Sequence, residues 1–135
     1  MGIADLLSGG DPRSLGTVNE AIRIALSDRA RLGELLECLF CADPVVRMRA
    51  ADALEKVARQ SPELLAPLIP RLLDDVAAIE QPSVQWHLAQ MLAEVRLDAA
   101  QRRRAVAILK RNLESSDATS RARMTGSCSP SRWTR

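Results

Sequence analysis

Only a few residue sets in this 135-residue sequence are of types that do chemistry. Cys38 and Cys41 form a C-x-x-C pair around Leu39-Phe40, and Cys128 is the third cysteine. A structural zinc site takes four ligands, and beyond the pair only Cys128 and His87 remain. A thioredoxin-type redox pair would follow a strand, whereas this one sits inside a helical pattern. The two cysteines are therefore expected to be buried apolar residues. His87 is the single histidine, and no Ser-His-Asp or Cys-His set can be assembled around it from spacing. Phosphate-binding and dinucleotide-binding glycine motifs are absent. No cofactor and no metal site are expected, and the sequence reads as that of a non-enzyme.

The cations are the other chemical signal. Residues 1–95 hold 9 Lys/Arg against 14 Asp/Glu, while residues 96–135 hold 10 against 3. The basic character is thus confined to the C-terminal part. Arg102, Arg103, Arg104, Lys110 and Arg111 could engage nucleic-acid phosphates. Aromatic residues are only 2 % of the chain, so no stacking set accompanies them. A solvated helix face is the simpler account of that run. The odd, sparse cysteine count fits a reducing compartment. With no apparent secretory signal and no apolar run of spanning length, the expected location is the cytoplasm, away from membranes.

The elements that position these residues read as helices throughout. Leu, Ala, Arg and Glu dominate, and no segment shows sustained strand-type alternation. "IADLL" at 3–7 is a short apolar turn. "TVNE" at 17–20 has capping-box spacing and opens a stripe of Val18, Ile22, Ala25 and Leu26. Asp28 then caps a helix on Leu32, Leu35, Leu36, Leu39 and Phe40. Asp43-Pro44, Ser61-Pro62 and Gln81-Pro82 are three further starts, each with Pro at the first helical position. Pro67 is expected to bend the helix on Leu64 to Val76. A sixth helix follows Asp98, on Ala105, Ile108, Leu109 and Leu113.

Two of these helices repeat. "DPVVRMRAADALEKV" from Asp43 aligns with "QPSVQWHLAQMLAEV" from Gln81 at an offset of 38 residues. Pro, Val, Ala, Leu and Val recur in register, and each helix follows another Leu-rich one. A third copy starts near Ala99 and fails after Asp117, where Ser120, Ser127 and Cys128 take the core positions. The ending is expected to be either an altered reading frame or a tail that orders on a partner.

The helix "DPVVR…AADALEKV" and "LLAPLIPRLL", with Pro inside the first helix of a pair, resemble HEAT repeats over residues 17–117. The resemblance implies an all-α fold, a short right-handed α-α superhelix of HEAT-like helical hairpins. It divides the chain into an N-terminal segment 1–16, a repeat domain 17–117 and a basic tail 118–135 expected to be disordered. Gln81 and Gln85 stand where the family usually has Asp and Arg. HEAT-like hydroxylases with two metals carry several His-Glu pairs, which this chain lacks.

The family is mostly a scaffold for binding, and the second helices of its hairpins line the concave face. Helical spacing places Met48, Asp52, Glu55 and Arg59 opposite the core stripe, with Arg49 on the flank. Trp86, His87 and Gln90 are their counterparts one repeat later. Large apolar side chains on a solvent face mark a partner strip. The expected protein-binding residues are thus Met48, Arg49, Asp52, Trp86, His87 and Gln90. An incomplete third unit should also leave apolar surface for self-association.

Overall fold

The computed structural model describes residues 2–8 and 16–125, with side chains for residues 2–7 and 18–114. The described residues form an all-α structure with no strand. Seven helices run in chain order: α1 (Ile3–Ser8), α2 (Gly16–Ser27), α3 (Arg29–Glu37), α4 (Pro44–Gln60), α5 (Ile69–Asp74), α6 (Pro82–Glu94) and α7 (Ala99–Thr125). Short 3₁₀ segments cover Cys38–Phe40, Pro62–Leu68 and Val76–Ala78. No helix among the described residues is long and apolar enough to cross a membrane. The chain divides into two compact units, Met1–Asp98 and Ala99–Arg135. The division falls inside the 17–117 span read from the sequence as one repeat domain.

The starts follow the local chemistry. Asp28 accepts a hydrogen bond from the Ala30 N–H at 2.9 Å and caps α3. Asp43 accepts from the Val45 N–H at 2.9 Å and caps α4, with Pro44 in the first helical position. Such caps are worth about 1 kcal/mol each. Gln81 is extended before Pro82 but makes no side-chain cap. Its side chain is engaged elsewhere.

The expected bent helix at 64–76 is broken into three. Pro67 and Pro70 both lack an N–H, so two i→i−4 bonds three residues apart are missing. The chain winds tighter instead, with the Leu64 N–H on the Ser61 carbonyl at 3.0 Å. α5 spans only the six residues after this run.

In the first unit α4 is the central element. It packs most extensively against α6, and also against α1, α2, α3 and the 3₁₀ segments at 38–40 and 62–68. Val46, Ala50, Ala53, Leu54 and Val57, the stripe read from the sequence, are buried. Burying Leu54 alone contributes about 2–3 kcal/mol. Ala51, Glu55 and Ala58 are buried as well, so the covered arc is about 200° wide at 100° per residue. α1 is part of this core, with Ile3 and Leu7 buried. The Ile3 N–H donates to Glu34 Oε1 at 2.7 Å and ties α1 to α3.

In the second unit α7 is one continuous helix through Asp117, where the sequence suggested a new start. The part of the expected disordered tail at 126–135, Cys128 included, lies outside the described residues.

Candidate functional site

α4 and α6 lie side by side and point the same way. Arg47 Nε donates to Gln81 Oε1 at 2.6 Å, and Gln81 Nε2 donates to the Pro44 carbonyl at 3.0 Å. Both contacts join the N-terminal ends of the two helices. Arg47 Nη1 also donates to the Cys41 carbonyl at 2.7 Å and the Ala42 carbonyl at 3.1 Å. Gln85 Nε2 makes matching contacts later in the chain, donating to the Ile79 carbonyl at 2.7 Å and the Val76 carbonyl at 3.0 Å. In both helices the donor reaches a carbonyl six residues back. Orphaned carbonyls at the end of the preceding helical segment are thereby satisfied. Gln81 thus accepts from Arg47 as a neutral group.

The face formed by these helices carries exposed apolar side chains. Trp86 is 63 % exposed and Met48 39 % exposed. Val45, one turn before Met48, is also exposed. Its position beside Met48 at i, i+3 was the available signal for including it. The Trp86 ring meets the His87 ring at a tilted 5.2 Å.

The other residues expected on this face divide. Arg49 is committed to the fold: its Nη1 donates to the Leu7 carbonyl at 2.7 Å, at the end of α1. Asp52 is half-buried and pairs with Lys56 at 3.0 Å. Gln90 is half-buried. Glu55, placed by spacing on the solvent side, is only 2 % exposed, which corrects that reading. The reason is that α6 closes a second side of α4. Glu55 Oε2 pairs with Arg59 at 2.7 Å, and the Arg59 side chain is 60 % exposed.

The structure brings three of these groups together. Donor atoms of Asp52, Glu55 and His87 all lie within 4.8 Å of one another. Asp52 and Glu55 share one side of α4 at i, i+3, and His87 comes from α6. His87 Nδ1 is buried and has no hydrogen-bond partner. These are the only residues among those described that form a set able to hold a metal ion. Spacing alone did not single out Glu55. The 38-residue register contained a hint, because it aligns His87 with Arg49, one turn ahead of Asp52 on the adjacent helix.

Among the described residues, the cysteines form no comparable set. Cys38 is buried and Cys41 half-buried, both as free thiols. Burial pushes the Cys38 thiol up to about 11, with the nearby Cys41, Glu34 and Glu37 adding to the effect. Arg102, Arg103, Arg104, Lys110 and Arg111 on α7 are all exposed. They spread over about 200° of that helix, and Arg104 and Arg111 already have partners. They do not form one phosphate-facing stripe.

No protein-family model matches the chain, and no curated protein or solved structure matches it.

Proposed function

We propose that this chain is a HEAT-like helical-repeat scaffold, a short right-handed superhelix that binds a protein partner without catalysis. The α4–α6 face is the binding surface. The repeat reading is supported by the matched carbonyl contacts of Arg47 and Gln85, which recur at the same 38-residue offset as the sequence alignment. The parallel pairing of α4 and α6 fits the second helices of adjacent hairpins.

The observation that carries the binding reading is Trp86. A tryptophan 63 % exposed in the interior of a helix leaves a large apolar surface in water. Trp is among the residues that dominate binding energy when a partner covers them. Met48 and Val45 extend the apolar patch, and Asp52, His87 and Gln90 supply a polar rim. Arg49 contributes by holding α1 and is not assigned to the contact.

The test is capture of partners by the immobilised chain at two salt concentrations, with and without nuclease. A protein captured at both salts, resistant to nuclease and weakened at least about tenfold by Trp86→Ala supports the reading. The Trp86→Ala chain should keep its helical circular dichroism. Capture that vanishes with nuclease or high salt would transfer the function to Arg102–Arg104, Lys110 and Arg111 and to nucleic acid. Unfolding of Trp86→Ala would sink the idea. Val106 and Leu113, exposed on α7, support self-association as a second, separate contact.

A further inference from the structure

We infer that Asp52, Glu55 and His87 form a binding site for a divalent transition-metal ion, with zinc the best fit. The inference does not rest on the protein-binding reading. It starts from the convergence of two carboxylates and an imidazole within 4.8 Å. Zinc takes nitrogen and oxygen donors at about 2.0–2.2 Å, which places its ligands about 3.3–3.6 Å apart in a tetrahedron. The three donors lie within 4.8 Å of one another, so reaching that separation takes a closing movement of at most about 1.5 Å.

The groups converge without satisfying one another. His87 donates to neither carboxylate, and its Nδ1 is buried with no partner. A buried, unpaired ring nitrogen calls for a physical explanation. Glu55 is nearly inaccessible to water, and it faces a second carboxylate. An acid shielded from water beside a second acid favours cations around the pair. A divalent ion takes the remaining oxygen of each carboxylate together with the imidazole lone pair.

The surrounding side chains fit the same role. Lys56 Nζ holds Asp52 Oδ2, and Arg59 Nη2 holds Glu55 Oε2. Each carboxylate thus keeps its other oxygen, while the cationic partner fixes its orientation. Outer partners of this kind orient metal ligands. Three protein ligands leave a fourth position for water or a partner's side chain. The half-burial of Asp52 and His87 gives access from the α4–α6 face. The donor set has no sulfur, which sets it apart from any site built on the cysteines.

The test uses the full chain, stripped with a chelator and titrated with Co²⁺ and then with Zn²⁺. One equivalent of Co²⁺ should bind with a visible d–d spectrum and without the thiolate charge-transfer band that cysteine ligands give. Zn²⁺ should displace it and raise the thermal midpoint. His87→Ala and Asp52→Asn should each weaken binding by about tenfold or more, with helical circular dichroism unchanged. His87→Gln serves as a second variant if His87→Ala does not fold. The inference is overturned by the lack of stoichiometric binding to the wild-type chain, by a thiolate band, or by unchanged affinity in the variants.

Discussion

Cys38 shows how strongly a side chain's chemistry depends on where the fold puts it. The thiolate is the reactive form of cysteine. Burial, with the nearby Cys41, Glu34 and Glu37, raises this thiol from 9.0 to about 11. A raised acid pKa means that Cys38 stays neutral across the working pH range and begins to ionise only well above pH 9. In a mass-spectrometric alkylation experiment at pH 8 without denaturant, Cys38 should therefore label much more slowly than half-buried Cys41. Equal labelling of the two would refute this, and adding denaturant should abolish the difference. At this scale the sequence was legible where one helix decides the outcome. Helical spacing alone exposes Trp86 and Met48 and buries Leu54. It was not legible where two helices decide. Glu55 sits on the outer side of its own helix, yet α6 covers it. Its meeting with Asp52 and His87 depends on the relative height of α4 and α6, which no single helical wheel contains.

The helices carry their own boundary signals, and these were read best where the signal is local. Asp28 and Asp43 cap as their positions require, and Asp43-Pro44 starts α4. Gln81 begins α6 equally well but spends its amide on Pro44 and Ser83 instead of its own helix. That choice depends on Arg47, 34 residues away in sequence. The region from Pro62 to Ala78 was harder, because two prolines three apart replace a bend with three short segments. α7 passes through Asp117 unbroken because an Asp without a following Pro can remain inside a helix. The clasp between α4 and α6 yields a prediction at this scale. Arg47→Ala removes bonds to Gln81 and to the Cys41 and Ala42 carbonyls. Leaving the partly buried Gln81 and Cys41 acceptors unpaired should cost about 1–3 kcal/mol. Chemical denaturation of the variant measures the loss. A change below about 0.5 kcal/mol would show that water replaces the guanidinium at no cost.

Across the whole molecule the chain separates after Asp98. The first unit has its own core, from Ile3 and Leu7 on α1 to Met91 and Leu92 on α6. A fragment of residues 1–98 should therefore unfold cooperatively on heating, with a single transition by circular dichroism. A broad, non-cooperative melt would show that this unit depends on the rest of the chain. The all-helical class was readable from composition and periodicity, since no stretch competes for strand. The division at Asp98 was not, because the 38-residue register continues smoothly across it into the start of α7. The inclusion of α1 in the core was also missed. Its six residues are too few to show a helical period, and its place is set by Arg49 and Glu34, which lie far along the chain.

The bonds between α4 and α6 are unevenly distributed along the pair. Directional contacts gather where Arg47, Gln81 and Pro44 meet. Further along the pair, Asp52, Glu55 and His87 converge without bonding to one another. The pair is built like a pair of tongs, riveted at one end. The gap among those three side chains, roughly two turns beyond the rivet, is the dimension that an ion or a docking partner would set.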